Sequence, residues 1–285
     1  MIFSVKKRRP ENGLKSSRRK GGRKIAFGWY GGKYSHLGFL ILNFPPEAGH
    51  FCDVFGGSAV VLMNVNPYPV ETYNDIDSEL VNFFRTLRDQ YDELIRLIGL
   101  TPFSREELAI ACNQEEGLSD LERARRFYVR ARQTRTGLAQ TSSKGRWAHC
   151  VLTSRSGMAG AVSWWLGSVE DLAEVAQRFQ RVQIENASGL EVISRYDSPE
   201  TFFYIDPPYV HSSRSDSSAY AYEMSDNDHE LLAAALKLIK GKAAVSGYRT
   251  ALYDHLFGDW RRVDAPPRNC HSVRTLRQES LWMNY

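Results

Sequence analysis

Short runs rich in β-branched and aromatic residues alternate with amphipathic helical segments at both ends of this 285-residue sequence. Such alternation is typical of a mostly parallel β-sheet covered by helices. The predicted strands are residues 51–55, 71–74, 182–185, 201–205, 242–246 and 280–284. The sequence therefore predicts an α/β fold in which helices pack on both faces of one sheet.

The strongest helical signal begins at Asp77 and Ser78. Apolar residues then recur at helical spacing, as expected for one buried stripe. They are Leu80, Phe83, Phe84, Leu87, Tyr91, Leu94 and Ile98. Ser225 and Asp228 form a capping box before a second segment of this kind. Both helices are expected to pack on the sheet.

The segment between residues 101 and 181 differs from both ends because it carries no good strand signal. Three Ser-x-x-acid capping boxes each introduce a helical pattern there. These boxes pair Ser104 with Glu107, Ser119 with Glu122, and Ser168 with Asp171. We therefore divide the chain into a tail (1–24), an α/β domain (25–100 and 182–285) and a helical insert (101–181).

Positive charge is concentrated at the start of the chain, although the whole sequence has a net charge of only +4. Residues 1–24 hold ten Lys or Arg residues and one acid, Glu11. A segment of this composition cannot bury apolar surface, so we expect a flexible basic tail. It would either contact nucleic acid or remain a solvated, solubilising segment.

A second basic stretch covers residues 121–155, with nine Lys or Arg residues against one acid, Glu122. In the helix that begins near Ser119, apolar residues would pack on one side and arginines would face an anion on the other. We expect nucleic-acid phosphates to bind there with steep salt dependence. The candidate contacts are Arg123, Arg126, Arg130, Arg132, Arg135, Lys144 and Arg146.

Several protein classes are excluded by the composition. The longest apolar stretches are far shorter than the roughly 20 residues of a membrane helix, and the basic start is not followed by the apolar part of a secretory signal. The four cysteines form no Cys-x-x-Cys pair, which argues against a disulfide framework and against zinc. We expect a cytoplasmic protein without bound metal.

The most informative motif is the run Phe-Tyr-Ile-Asp-Pro-Pro-Tyr at residues 203–209. It places Asp206 directly after an apolar strand, where open α/β sheets bind ligands. The exocyclic amino nitrogen of a base is a poor nucleophile because its lone pair is delocalised into the ring. Acceptors on its two hydrogens, the Asp206 carboxylate and the Pro207 carbonyl, would favour a reactive pyramidal nitrogen.

The residues that follow Asp206 fit the same chemistry. Pro207 and Pro208 would hold the acceptor carbonyl in place, and Tyr209 would stack on a flipped base. The alternative is an ordinary Asp-Pro-Pro turn followed by a buried tyrosine.

A second motif leads from Asp53 through Phe55, Gly56 and Gly57 into a helix. Glycine lets a cofactor approach the backbone closely, but the Gly-x-Gly-x-x-Gly spacing of a dinucleotide site is missing. Asp75 ends the next strand, where doubly wound folds place an acid on ribose hydroxyls. Alternatively, Asp75 caps the helix that follows.

A third motif, Trp29 to Lys33, joins an aromatic ring to a lysine that follows two glycines. The unobstructed backbone would let Lys33 reach a carboxylate, and Trp29 offers a ring face to another ring or a cation. By itself, this segment is more often a turn with an exposed lysine.

Together, and in this order, the three motifs resemble the Dam-type (alpha-group) DNA adenine methyltransferases, which use S-adenosylmethionine. In that family Trp-x-Gly-Gly-Lys opens the domain, and a Phe-x-Gly loop and Asn-Asp-Ile follow. Asp-Pro-Pro-Tyr then comes after a target-recognition insert. The matching residues here are 29–33, 55–57, 74–76 and 206–209. The resemblance implies a Rossmann-like methyltransferase sheet, a DNA substrate, and a phage or restriction-modification context.

The resemblance also implies residue roles. Trp29 and Lys33 would contact the cofactor, with Lys33 near its carboxylate, and Asp75 would hold the ribose. Asp206 would lie between the methyl donor and the target amino group. The other expected cofactor contacts are Asp53, Phe55, Gly56, Gly57 and Ser188. Ser188 stands where the family often has an acid that receives the cofactor's adenine.

Other functions remain open at this point. RNA adenine methylation is the nearest, because basic residues bind the phosphates of either nucleic acid. A non-catalytic nucleic-acid-binding module on a methyltransferase core is another, and Ser188 is its best support. Methylation of a cytosine carbon is disfavoured, because no cysteine follows a proline. A nicotinamide-dependent oxidoreductase is the least favoured.

Overall fold

A mixed β-sheet runs through the centre of the molecule. The structure is a computed structural model that describes residues 22–113, 115–134, 146–155, 157–213, 221–269 and 276–285. The predicted basic tail therefore lies outside the described residues as far as residue 21. The strands are β1 (His50–Asp53), β2 (Val70–Asn74), β3 (Ser154–Arg155), β4 (Met158–Ala159), β5 (Gln183–Glu185), β6 (Thr201–Ile205), β7 (Lys242–Tyr248), β8 (Arg261–Asp264), β9 (Arg268–Asn269), β10 (Leu276–Arg277) and β11 (Glu279–Met283).

Within the described ranges, seven strands form the main sheet in the order β5-β2-β1-β6-β7-β11-β8. Strands β5 to β7 in this order are parallel, whereas β11 is antiparallel to both of its neighbours. The chain proceeds from β1 to β2 on one side and from β6 to β7 on the other. Ligand crevices of doubly wound sheets form where the strand order reverses, which here is between β1 and β6.

Helices cover both faces of this sheet. They are α1 (Leu37–Asn43), α2 (Val60–Asn64), α3 (Ser78–Asp89), α4 (Tyr91–Leu100), α5 (Arg105–Cys112), α6 (Asp120–Gln133), α7 (Gly160–Phe179), α8 (Gly189–Tyr196), α9 (Asp226–Leu236) and α10 (Ala251–Leu256). None of these helices is long and apolar enough to cross a lipid bilayer.

Two hydrophobic cores form because the inner strands are buried on both faces. Along β6, Phe202 and Tyr204 join one core, and Phe203 and Ile205 join the other. The predicted α/β fold with helices on both faces of the sheet is confirmed.

All six predicted strands are present, with ends that differ from the prediction by at most two residues. Strand β8 was missed because it is an edge strand whose residues are mostly exposed, so its sequence lacks the apolar alternation of a half-buried strand. The short hairpin of β3 and β4 lies in the segment where we predicted no strand.

The predicted long helix after Asp77 is two helices, α3 and α4. Gln90 adopts a non-helical conformation with φ −131° and ψ 47°, which ends one helix and begins the next. Asp77 caps α3 by accepting a hydrogen bond from the Glu79 backbone N–H. The caps predicted at Ser104, Ser119 and Ser225 are confirmed.

The cap predicted at Ser168 is wrong. Ser168 lies inside α7, where its hydroxyl donates to the Trp165 carbonyl at 2.7 Å. The same hydroxyl accepts a hydrogen bond from the Tyr128 phenol at 2.9 Å. The Ser168 side chain therefore joins α7 to α6 and does not begin a helix, because these tertiary partners outweigh the local capping pattern.

Helices α6 and α7 of the middle segment pack against α3 and α4, and α5 packs against α6. The Phe83 and Tyr128 rings stack with centroids 5.6 Å apart, and those of Phe84 and Phe179 stack at 4.4 Å. These aromatic rings belong to the same hydrophobic core as β1 and β2. The middle segment thus shares a core with the sheet, and its action as a target-recognition unit stays a prediction.

A buried ion pair fastens the end of α7 to the sheet. Glu71 of β2 is completely buried and bonds to the guanidinium of Arg178 through both carboxylate oxygens. Arg178 also donates to the Leu62 carbonyl, and the partly exposed Arg181 lies 3.1 Å from Glu71. Buried charges are tolerated only when they are paired in this way.

We predict that Arg178→Ala lowers the free energy of unfolding by about 3 kcal/mol, because Glu71 loses its main partner while remaining buried. Equilibrium unfolding in urea measures the change. The matched control is Arg195→Ala, which removes an exposed ion pair with Glu185 and should cost far less, because solvent screens exposed charges. Equal losses in the two variants would contradict the prediction.

Candidate active site

A cleft opens at the carboxyl ends of β1 and β6, where the strand order reverses. All three predicted motifs line it, through residues 29–33, 55–58 and 206–208. Asp53, Asp75, Ile76, Tyr204 and Tyr222 also contribute to the wall.

The glycine-rich loop after β1 is tightly fitted against β2. A Cβ atom at Gly56 would lie 2.2 Å from a ring carbon of Tyr73, and Gly57 has a positive φ of 50°. The Gly56 backbone N–H donates to the Asn74 carbonyl, and the Tyr73 hydroxyl donates to the Gly57 carbonyl. The loop therefore needs glycine at both positions. Trp29 packs directly over Gly57.

Asp75 lies beside this loop at the end of β2. Its carboxylate accepts the backbone N–H of Gly57 and the backbone N–H of Asp77, both at 2.9 Å. Burial raises the pKa of Asp75 to about 6, against the opposing effect of these N–H donors. The alternative role for Asp75 was to cap the helix that follows. In the structure Asp77 caps that helix, α3.

Asp53 is the most unusual acid in the cleft. It is only 1% exposed, and neither carboxylate oxygen makes a hydrogen bond of good geometry within the described residues. Burial, together with the negative charges of Asp206 and Asp75, holds its pKa well above the ordinary value. A buried carboxyl group without partners is costly. Its position in the cleft therefore fits a ligand that brings a hydrogen-bond donor or a cation.

Lys33 begins a short 3-10 helix, Lys33–His36, and its side chain is buried. Its ammonium group lies 2.5 Å from Asp206 Oδ1 and donates to the Tyr209 hydroxyl at 2.7 Å and to the Gly31 carbonyl at 3.1 Å. Burial lowers the pKa of Lys33, but the charges of Asp206 and Glu279 outweigh burial and raise it overall.

The sequence analysis expected the Lys33 ammonium at the carboxylate of a cofactor, whereas the contacts of this ammonium in the structure are with groups of the protein itself. An ammonium has three N–H donors, and here they are directed at Asp206, Tyr209 and Gly31. A buried lysine needs such partners to stay charged, and two carboxylates within 4 Å supply them.

The described side-chain contacts of the Asp206 carboxylate are made by one oxygen, Oδ1. Its Oδ1 atom accepts a hydrogen bond from the Ser246 hydroxyl at 2.8 Å in addition to its contact with Lys33. The Ser246 proton goes to Asp206, so the Tyr204 phenol donates to Ser246 at 3.0 Å. No described residue donates to Oδ2, although the side chain is 16% exposed in the cleft. The carboxylate therefore presents one oriented, unused acceptor.

The ionisation of Asp206 reflects a balance of charges. Burial raises its pKa, Lys33 opposes that effect, and the nearby negative charge of Glu279 supports it, with a raised pKa as the result.

Tyr209 is a buried residue. Its ring is only 8% exposed and does not line the cleft, and the Tyr248 ring lies 4.5 Å away. The Tyr209 hydroxyl accepts from Lys33 and donates to Glu279. These bonds hold the ring inside the protein, and stacking of Tyr209 on a flipped base stays a prediction.

Ser188 has a local structural role, and its contact with the cofactor stays a prediction. Its hydroxyl caps α8 in a reciprocal capping box with Glu191, and Ser188 does not line the cleft. A Ser-x-x-Glu pattern at residues 188–191 was present in the sequence, and this local interaction uses the side chain that we had assigned to the cofactor's adenine.

Sequence reasoning missed Glu279, Ser246, Tyr204 and Tyr222. Glu279 is the first residue of the apolar strand β11 and is 2% exposed. An acid at the edge of an apolar strand was the only available signal for it. The other three look like ordinary strand or loop residues, so no pattern marks them.

Over residues 29–277 the chain matches the family of D12 class N6 adenine-specific DNA methyltransferases. The chain belongs to this family. The predicted resemblance to adenine-specific DNA methyltransferases is thereby confirmed, and so is the predicted function of methylating adenine in DNA. The D12 family match spans all three motifs and the middle segment.

Two relatives agree with this D12 assignment. The chain is 24% identical over 270 residues to the Type II methyltransferase M1.LlaDCHI of Lactococcus lactis subsp. cremoris, and the match covers 87% of each protein. It is 28% identical over 124 residues to the DNA N-6-adenine-methyltransferase of Escherichia phage P1, covering 42% of this chain and 16% of the phage protein. The resemblance implied a phage or restriction-modification context, and these relatives are a type II enzyme and a phage enzyme.

Helix α6 of this D12-family protein uses several predicted DNA contacts internally. Arg126 is buried and bonds to Glu115 and Glu122, and Arg123 bonds to Glu79. Arg130 donates to the Ala111 carbonyl and lies 3.8 Å from Glu79. Neighbouring glutamates thus pair with these arginines in the structure, and their contact with nucleic acid stays a prediction.

The remaining predicted DNA contacts are not paired in this way or lie elsewhere. Arg132 is half-buried, with its guanidinium 5.9 Å from the centre of the Tyr128 ring. Arg146 is exposed. Arg135 and Lys144 lie outside the described residues.

The expected absence of a metal remains a prediction. In the portion of the chain with described coordinates, no group of three or more His, Cys, Asp and Glu side chains is arranged to hold a metal ion.

We predict that Gly56→Ala destabilises the protein by about 1–3 kcal/mol, because the new methyl group would overlap the fully buried Tyr73 ring. Urea unfolding measures the loss, and methyl-transfer activity should fall with it. Gly99→Ala in α4 is the control, since nothing lies within 4 Å of its added methyl group. If both variants were as stable as the wild type, the tight fit of the loop would be disproved.

Proposed function

We propose that this D12-family protein uses S-adenosylmethionine as its methyl donor and that Asp206 holds the adenine amino group during transfer. The observation that supports this most strongly is the asymmetry of the Asp206 carboxylate. Lys33 and Ser246 bind Oδ1, and Oδ2 has no described donor at the cleft. Amino-group recognition requires such an acceptor.

The residues of the cleft fit this cofactor. Asp53, Asp75 and Asp206 line it with a single lysine, so acids exceed bases. S-adenosylmethionine carries a sulfonium and an ammonium against one carboxylate, and its bound form supplies an electrophilic methyl group. We propose that Asp53 binds the ammonium, since its two buried oxygens lack good partners, and that Asp75 binds the ribose with its remaining lone pairs.

The other proposed cofactor contacts shape the cleft. Gly56 and Gly57 keep the loop backbone accessible, and Trp29 and Phe55 provide apolar walls. Lys33 is proposed to hold Asp206 and not the cofactor carboxylate, because its donors are already engaged.

The chemical role of Asp206 follows from its protonation state. An ionised Oδ2 accepts one hydrogen of the adenine amino group and favours a pyramidal nitrogen with an available lone pair. Pro207, which is buried, and Pro208 hold the Pro207 carbonyl in place. This carbonyl is the second proposed acceptor. Burial raises the pKa of Asp206, so transfer should decline as pH falls through that raised value.

The proposed DNA contacts lie on the exposed part of the middle segment. Arg146 and Arg155 are exposed, and Val151, Leu152 and Trp164 are exposed apolar side chains on the same stretch. Basic residues interleaved with apolar ones suit a nucleic-acid surface, since they combine phosphate contacts with base stacking or wedging. Arg132 completes the proposed set.

We predict that Asp206→Ala lowers methyl transfer to a DNA oligonucleotide by about 100-fold or more, because the amino-group acceptor is lost. DNA affinity should stay nearly unchanged. Transfer is measured with a labelled methyl donor on matched DNA and RNA substrates. The control is Asp226→Ala, which removes an exposed acid at the start of α9.

Two results would overturn this proposal. Label that appears only in RNA would support an RNA adenine methyltransferase. A wild-type protein that binds DNA but transfers no methyl group to either substrate would support a non-catalytic binding module.

We predict that Asp53→Asn weakens S-adenosylmethionine binding by about tenfold or more, because a charge-assisted hydrogen bond is lost. Calorimetry on the purified protein measures this without any reaction. Burial raises the pKa of Asp53, so wild-type affinity should increase as pH rises through that value, and Asp53→Asn should lose this dependence. Asp226→Asn is the control. Unchanged affinity in Asp53→Asn would exclude Asp53 from the cofactor site.

A further inference from the structure

A second buried carboxylate lies behind the catalytic motif. Glu279, the first residue of β11, is 2% exposed and pairs in register with Tyr248 of β7. Both of its oxygens lie within hydrogen-bond distance of the Tyr209 hydroxyl, at 3.0 and 2.9 Å, and one is 3.6 Å from the Lys33 nitrogen. Glu279 does not line the cleft.

These groups form a directed chain of contacts. The Tyr209 hydroxyl has one proton, which it donates to Glu279, so its lone pairs remain to accept a hydrogen bond from Lys33 at 2.7 Å. Lys33 in turn contacts Asp206 Oδ1 at 2.5 Å. Each link fixes the direction of the next, from Glu279 through Tyr209 and Lys33 to Asp206.

We propose that Glu279 is a positioning residue for methyl transfer, which acts through Tyr209 and Lys33 to keep the Asp206 carboxylate oriented with Oδ2 toward the adenine amino group. This inference rests on the proposed role of Asp206. Glu279 touches neither the cleft nor, therefore, the reacting atoms, so its effect on the reaction is exerted through the other three residues.

The charges of the cluster give the proposal a specific signature. Asp206 and Glu279 share the single ammonium of Lys33. The negative charge of Glu279 raises the pKa of Asp206, in addition to burial, and also raises the pKa of Lys33 against burial. Neutralising Glu279 should therefore lower both pKa values and move the whole active pH range to lower pH.

Other ionisable groups also face this cluster. Burial, together with the charge of Lys33, lowers the pKa of His36 to about 4, so His36 is neutral in the working range. Among the described residues, Asp53, Arg268, Tyr204, Tyr248 and Tyr253 are also within electrostatic reach. The Arg277 guanidinium lies 5.0 Å from the centre of the Tyr248 ring. A substitution at Glu279 leaves these residues in place. Because the charge of Glu279 also contributes to the raised pKa of Tyr204 and Tyr253, neutralising it lowers those two pKa values as well.

The test is Glu279→Gln, which keeps the shape of the side chain and removes its charge. At the pH optimum kcat should fall on the order of tenfold or more, because Asp206 loses its fixed orientation. KM for DNA and calorimetric affinity for S-adenosylmethionine should stay within about threefold, as expected for a group outside the binding contacts. The acidic limb of the pH profile, which we attribute to Asp206, and the basic limb, which we attribute to Lys33, should both shift to lower pH by about one unit.

Two controls accompany this variant. Glu279→Asp keeps the charge and should hold both pH limbs near their wild-type positions. Glu230→Gln removes an exposed acid on α9 and should change neither kcat nor the pH profile.

Different results would overturn the positioning role of Glu279 and the proposed function of Asp206. A lower kcat in Glu279→Gln with both pH limbs unmoved would reduce Glu279 to a structural residue and overturn the inference. Full activity in Asp206→Ala would instead overturn the proposed function. Circular dichroism shows whether Glu279→Gln is folded. If it is not, Tyr209→Phe breaks the same chain while keeping Glu279, and unchanged kcat in that variant would overturn the inference.

Discussion

The buried ammonium of Lys33 is the interaction on which the active-site edge of the sheet depends. It contacts Asp206 after β6, the Tyr209 hydroxyl and the Gly31 carbonyl, and it lies near Glu279 of β11. Without it, two carboxylates would be buried close together, which is strongly unfavourable. One cation therefore allows the acids to be brought together, and their arrangement defines what the site can bind.

The sheet order explains how these groups reach one another. Parallel pairing of β6 with β7 places Ser246 beside Asp206, and antiparallel pairing of β7 with β11 places Glu279 next to Tyr248. On the other side of the strand reversal, β1 and the glycine loop bring Asp53 to the same cleft. Asp206 and its donor Ser246 therefore come from one half of the doubly wound sheet, and Asp53 comes from the other half.

The sequence predicted the elements with strong local signals. Inner strands such as Thr201–Ile205 were found because both faces are apolar, and helix starts at Ser104, Ser119 and Ser225 were found because their caps are local. The ordered motifs also predicted which segments line the cleft.

The contacts that the sequence did not reveal come from tertiary partners. Lys33 and Tyr209 bind groups that are distant in sequence, and Arg123 and Arg126 are neutralised by glutamates that helix packing supplies. Periodicity shows which side of a helix is apolar but not which charges its neighbours bring. Ser188 is the exception, since its own capping box was visible in the sequence.

Strand β11 enters the sheet between β7 and β8, two strands that both precede it in the chain. Its pairing carries Glu279 to Tyr209, which is 70 positions away, while Tyr209 meets Lys33 across 176 positions. Contacts of such long range form late compared with local helices. The last strand of the chain thus fills an interior position of the sheet, so the cluster around Lys33 unites residues from near both ends of the sequence.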